Sequence, residues 1–281
     1  MVKQFKTPFT KTQFTKTIDD IVVPHDLAGY IALGANVERY KFSEGAYNHI
    51  FRDFVDEHTK RMVLYAEHLS LPEIQKNDLI RTLWIHDIPE VLNSQIEGSD
   101  MTSSDKIRYP ELAMKVREKE EAIVEEIFSP EDKFLYEVFE PAKEMLFTGT
   151  IDPKMTTPVA LLARILDNFI DGTNSFHGFV LDYVSGPDYR GDFPVPMRDS
   201  FEYCFQRGID VWGHVSTFSH PEYDEIKRVI LSILRDDFFG YVEQNWNNEV
   251  LERLPEYAQE EYQRYQTKLR NIDLGISYGH S

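Results

Sequence analysis

The chain has almost no cysteine: Cys204 is the only one in 281 residues. No internal disulfide can form, and neither a disulfide scaffold nor a cysteine-built zinc site is available. The expected setting is therefore a reducing one, and any metal must be held by imidazole and carboxylate. Long apolar runs are missing too. None approaches the roughly 18–20 residues that cross a bilayer, and the N-terminus, MVKQFKTPFTKTQFTKTIDD, has lysines without the apolar stretch of a secretory signal. A cytoplasmic protein with no membrane partner is expected. Positive charge is also short, with 30 Lys and Arg against 48 Asp and Glu and a net charge of −18 with neutral histidine. A polyanion would mostly be repelled, which argues against bulk nucleic acid as a partner. A small phosphorylated substrate remains compatible, because a pocket can be locally positive inside a negative envelope, especially around a metal.

Strand signals are scarce, and what the chain has instead is helical period. From about residue 45, Phe51, Phe54, Val55, Met62, Val63, Ala66 and Leu69 recur at three- and four-residue intervals, up to Leu71-Pro72. Leu79, Ile80, Leu83, Trp84 and Ile88 mark a second helix that should bend or stop at Pro89. A polar stretch over 93–110 reads as a loop, followed by a helix on Leu112, Val116, Ile123 and Ile127 whose other face is charged and solvated. A further helix carries Val159, Leu162, Ala163, Leu166 and Ile170 and should close near Gly172. Residues 182–200 hold Gly186, Pro187, Gly191, Pro194 and Pro196 and read as a long irregular loop, with a lid over a site as one option. Beyond Phe201 the pattern is helical again, ending on Ala258, Tyr262, Tyr265, Leu269 and Ile272, a spacing read as core packing. The fold class expected is all-α. The organisation expected is an N-terminal arm over 1–34, marked by the tandem echo Phe9-Thr10-Lys11-Thr12 and Phe14-Thr15-Lys16-Thr17, a core over 35–175, and a loop with a C-terminal helical extension over 176–281.

Histidine is where chemistry is expected, because a cysteine-poor protein binds a transition metal through imidazole and carboxylate. His86 and Asp87 are adjacent at the end of the second helix. On a regular helix they would point about 100° apart, but at a helix end broken before Pro89 they can converge on one ion. His58 lies 28 residues upstream, at the opening of the preceding helix. Two antiparallel neighbours of that length bring the start of the first beside the end of the second, so His58 should meet His86 and Asp87. Asp167, in ALLARILDNFIDG, is an acid among apolar residues and must be paired or metal-bound if buried.

His58, His86-Asp87 and Asp167, in that order on helices, resemble the H…HD…D metal signature of the HD-domain phosphohydrolases. Within that superfamily, His86-Asp87-Ile88-Pro89-Glu90 is similar to the HDxxE form of the bacterial 5′-deoxynucleotidase group. The resemblance covers roughly residues 35–175 and implies an HD-type helical bundle with a C-terminal helical extension. A second HD dipeptide, His25-Asp26, follows Pro24, has no histidine before it and lies outside any helical pattern. No histidine occurs between His86 and His177; the two-metal members of the superfamily need more there, so a one-metal site is favoured.

The resemblance implies that His58, His86, Asp87 and Asp167 hold one divalent ion (Mn, Co, Mg, Fe, Ni or Zn) with open positions for water and a phosphate oxygen. The bound water is the nucleophile of a phosphohydrolase, and Asp87 and Glu90 are the catalytic carboxylates, Glu90 as general acid/base or water-orienting group. Arg39, Tyr40, Arg61, Lys106 and Asp171 are the candidates for substrate and phosphate contacts. Where the deoxynucleotidases have Gly-Asp after the glutamate, this chain has Ser94-Gln95, which leaves the sugar and the phosphate number open. The expected activity is hydrolysis of a phosphate ester of a small nucleotide, 5′-nucleotidase-like. The alternatives are a nucleoside triphosphohydrolase on the same site and a non-catalytic, metal-stabilised scaffold for a protein partner. A homo-oligomer is compatible with all three.

Overall fold

A computed structural model describes residues 16–39, 53–94, 109–187, 189–193 and 195–278; of the side chains of 195–197, 199–200, 202–203 and 272–278 nothing is said. The fold is all-α. Among the described residues the extended pairing is an isolated antiparallel bridge between Glu38 and Phe54. No helix among them is long and apolar enough to cross a membrane. The chain divides into two compact units, one built from Gln13–Ala142 and Pro153–Asp167, the other from Lys143–Asp152 and Asn168–Ser281.

In the first unit, a 3-10 turn over Ile18–Asp20 precedes α1 (Ala28–Gly34), α2 (Val55–His68), α3 (Glu73–Ile85), α4 (Ile88–Asn93) and α5 (Pro110–Ile127). The long α6 (Pro130–Thr148) then runs out of this unit, and α7 (Pro158–Ile165) returns to it. Proline opens α5, α6 and α7, where the fixed φ suits a helix and the missing N–H would have had no partner. Thr157 completes the start of α7 by accepting from the Ala160 amide at 3.2 Å. α3 packs between α2 and α7, and α4 packs on α1 and α5. Their facing residues are fully buried: Met62, Val63 and Leu64 of α2, Leu79, Leu83 and Ile85 of α3, and Leu161, Leu162 and Ile165 of α7. Each such aliphatic side chain contributes about 1.5–3 kcal/mol by leaving water.

Arg81 ties three segments together at the edge of this core. Its guanidinium grips Asp132 at 2.6 and 2.7 Å and reaches Asp26 at 2.7 Å. The carboxylate of the second HD dipeptide is therefore engaged in a structural ion pair. On the opposite face of α5, Lys115, Glu118, Lys119, Glu121 and Glu125 are exposed, as their charge requires.

The second unit begins its main run inside a π-helical stretch, Leu166–Thr173, that carries α7 directly into α8 (Asn174–Ser185). After α9 (Val195–Thr217) come α10 (Asp224–Ile233), a second π-helical stretch over Leu234–Phe239, α11 (Gly240–Asn245), α12 (Asn248–Arg253) and α13 (Glu256–Tyr278). α9 lies against α10 and α13, and its Gly208 permits the closest approach: an added Cβ would sit 2.1 Å from Cε1 of Phe238. The core here is aromatic. Phe201, Phe205, Phe238, Trp246, Tyr262 and Tyr265 are all buried, and His177 sits fully buried among them, its ring 4.7 Å from Phe205 and 5.6 Å from Trp246. Neither ring nitrogen of His177 makes a hydrogen bond among the described residues. Burial alone pushes its pKa down to about 3.

Several sequence expectations need correction. The irregular loop over 182–200 is shorter, because α8 runs to Ser185 and α9 starts at Val195. Pro196 lies in the first turn of α9, where a helix tolerates proline. The helix expected to close near Gly172 continues through it. Helix α3 ends at Ile85, before Pro89, which falls in the first turn of α4. Three helices that the sequence reading did not name are α1, short and within the stretch read as an arm, α6, which holds Pro141, and α8, which starts directly after the helix expected to close near Gly172. The Phe9 and Phe14 echo and most of the 93–110 loop lie outside the described residues.

Candidate metal centre

The helix ends of the first unit place the chemistry. His58 sits one turn into α2, whose start is fixed by the Glu38–Phe54 bridge: the Arg39 amide donates to Asp53 O at 2.9 Å and the Val55 amide to Val37 O at 3.1 Å. His86 caps the C-terminus of α3 and Asp87 precedes the first turn of α4, with φ −99° and ψ −1°. Both keep backbone angles in the right-handed helical region, and at this junction of two helices their side chains approach to 3.1 Å. Asp167 stands in the first turn of the π-helical stretch after α7.

These elements bring four side chains together. One ligand atom each from His58, His86 and Asp87 lies within 4.8 Å of the others, a group that could hold a metal ion. His86 Nε2 is 3.1 Å from Asp87 Oδ1. His58 Nε2 is 3.6 Å from Asp87 Oδ2 and 3.3 Å from Asp167 Oδ1. The imidazole rings are 5.6 Å apart. Both histidines are buried, whereas the carboxylates of Asp87 and Asp167 keep 18% and 13% of their surface exposed, so the group opens to solvent on the carboxylate side.

Protonation decides what this geometry means. His86 Nδ1 lies 2.8 Å from the carbonyl of Leu83, which can only accept, so Nδ1 carries a hydrogen and Nε2 is the nitrogen turned toward the acids. Nε2 faces Asp87 Oδ1 at 3.1 Å. An unprotonated ring nitrogen and a carboxylate oxygen at this distance repel unless something positive stands between them, either a proton that makes the ring an imidazolium or a metal ion. Burial pushes the Asp87 carboxyl up, but His86, His58 and Arg39 together outweigh it and hold its pKa down at about 2. For Asp167, burial is likewise outweighed by His58, His86 and Arg164, which keep it well below the usual carboxylate range. Both acids are therefore ionised at neutral pH, and two imidazoles with two carboxylates make a donor set suited to a divalent cation.

Glu90 is half-buried on α4, one turn beyond Asp87. Arg39 and Arg61 converge on the buried Asp53: Arg61 Nη2 lies 2.8 and 3.0 Å from its two oxygens and Arg39 Nη1 lies 3.2 Å from one. Arg39 also stabilises the charge of Asp87, whereas Arg61 is 4% exposed and held in the core. Asp171 is fully buried and belongs to the second unit. Tyr40 and Lys106 lie outside the described residues.

Further residues complete the surroundings. Phe139 of α6 sets its ring 5.4 Å from that of His86, nearly perpendicular at 74°. The Arg164 guanidinium lies 3.5 Å over the same phenyl ring. Phe139 lies on the stripe Leu135, Phe139, Ala142 and Leu146, whose 4-3-4 spacing runs across Pro141. No protein-family profile, no curated protein and no solved structure matches this chain.

Proposed function

We propose that this protein is an HD-type, one-metal phosphohydrolase acting on a small phosphate ester, a nucleotide by preference. The observation that carries the reading is the convergence of His58, His86 and Asp87, with His86 Nε2 3.1 Å from Asp87 Oδ1 and its Nδ1 held from behind by Leu83 O. His58 and Asp167 close the set on the other side. His58, His86, Asp87 and Asp167 would hold the ion. When bound, a divalent cation at such a site lowers the pKa of a water ligand and neutralises charge developing on phosphorus.

The chain's own residues would do the rest. A six-coordinate divalent ion held by these four side chains would keep two positions for water and a phosphate oxygen. The exposed edges of Asp87 and Asp167 are the open side of the group. Glu90, one turn past Asp87, would take and return a proton at its carboxylate. Arg39, partly exposed and tied to Asp53, would orient a phosphate oxygen. Phe139 excludes water from the back of His86.

The test is inorganic phosphate release from a panel of nucleoside mono-, di- and triphosphates with Mn²⁺, Co²⁺ or Mg²⁺. The wild-type protein should turn over at least one nucleotide. Asp87→Ala should lose both metal and activity, and Glu90→Ala should lose activity while still binding metal. A wild-type protein that binds metal but releases no phosphate from any substrate would support a non-catalytic scaffold and overturn the proposal.

A further inference from the structure

Arg164 is a buried cation beside the candidate centre, 7% exposed, and it binds both α6 and Asp167. Its Nε donates to Phe139 O at 3.1 Å, its Nη2 to Glu140, and its Nη1 to Asp167 Oδ2 at 3.1 Å, while its plane lies on the Phe139 ring. The two oxygens of Asp167 thus point in different directions. Oδ2 is turned to the guanidinium, and Oδ1 to His58 Nε2 at 3.3 Å. Arg164 and Asp167 are three residues apart, so helical geometry alone brings them to one face. What the tertiary structure adds is the clamp: a planar fork seated on a ring and fastened to α6 cannot swing away as an exposed arginine would.

We infer that Arg164 is a positioning residue that makes Asp167 a one-oxygen ligand, engaging Oδ2 so that only Oδ1 is presented to the ion. The same clamp reaches a second ligand, because Phe139 is shared between the guanidinium and the edge of His86. Keeping Asp167 to one oxygen leaves a coordination position that a chelating carboxylate would fill, and it is such a position that water and a phosphate oxygen need. Groups that orient metal ligands from behind typically change metal affinity about 10- to 100-fold when removed. The inference rests on the proposed metal centre.

The experiment uses Co²⁺ as the probe, titrated into the metal-free wild-type protein and into Arg164→Met, Arg164→Lys and Glu140→Gln. Visible absorption reports affinity and coordination together, and circular dichroism checks folding. Arg164→Met, which keeps the stem on Phe139 but removes the fork, should weaken Co²⁺ binding about 10- to 100-fold and alter the band, as Asp167 becomes free to offer both oxygens. Arg164→Lys should restore affinity in part, with the altered band retained, because an ammonium supplies charge without the fixed fork. Glu140→Gln, which loosens the clamp on the side away from Asp167, should weaken Co²⁺ binding less than Arg164→Met does. If a folded Arg164→Met binds Co²⁺ with wild-type affinity and spectrum, the inference is overturned while the metal centre stands. Should that variant not fold, a wild-type affinity and band in Arg164→Lys has the same effect. A wild-type protein that takes up no Co²⁺ refutes the centre itself.

Discussion

His177 gives the sharpest quantitative test of the second unit. The perturbation is acid. In the unfolded chain this imidazole titrates at about 6.5, whereas in the folded protein burial holds its pKa down at about 3. Between those values the unfolded state binds a proton that the folded state does not. Stability therefore rises with pH through this window, and falls by about 1.4 kcal/mol for each unit of acidification below the unfolded pKa. From pH 7.5 to pH 4.5 the loss is about 2.5 kcal/mol as an upper figure, worth about 5–10 °C in melting temperature for a domain of this size. The aromatic surroundings explain the size of the effect: His177 is fully buried against Phe205 and Trp246, and no acid is among the causes of its shift. The assay is thermal melting from pH 4.5 to 7.5 for wild type and His177→Leu. The leucine variant fills a similar volume and carries no proton, so the difference between the two curves isolates one titrating group. Parallel curves would refute the reasoning. Asp87 does not confound the test: its pKa of about 2 places its own loss of stability between about pH 4 and 2, below the window.

Other outcomes follow from packing and from the centre. Gly208→Ala should destabilise strongly, because its Cβ would overlap the Phe238 ring at 2.1 Å and neither α9 nor the π-helical stretch carrying Phe238 can yield freely; a variant melting at the wild-type temperature would contradict the close approach. Arg81→Met should cost about 1–3 kcal/mol, since it strips the partly buried Asp132 of both guanidinium contacts; chemical denaturation measures it, with Asp132→Asn in the same background as the check on coupling. Metal should stabilise the folded protein: at a free Co²⁺ concentration about 100 times its Kd, unfolding should cost about 2.7 kcal/mol more, an increment that a chelator removes and that Asp167→Ala abolishes. A melting temperature indifferent to Co²⁺ in wild type would count against the centre.

How much of this was legible beforehand depends on how local the determinant is. The all-α class and the cores of α2, α3, α5 and α7 follow from apolar residues at three- and four-residue intervals. The meeting of His58 with His86 and Asp87 follows from the length of two antiparallel neighbours. The solvated face of α5 follows from its charge. Prolines misled in one consistent way, since a proline that stops one helix also starts the next: Pro89, Pro110, Pro130, Pro158 and Pro196 all fall in first turns. Pro141 is the exception, lying inside α6 without ending it.

The sequence by itself determined the helical character, the ordering of two histidines and two acids along it, and the exclusion of cysteine chemistry, because composition and period act within one or two turns of chain. Only the tertiary structure decided which nitrogen of His86 faces Asp87, which oxygen of Asp167 Arg164 engages, and that His177 lies in an aromatic core without a hydrogen bond. Those facts depend on partners distant in sequence coming within 3–6 Å, His58 beside Asp167, Phe139 under Arg164 and Phe205 against His177, and neither periodicity nor spacing carries information at that range.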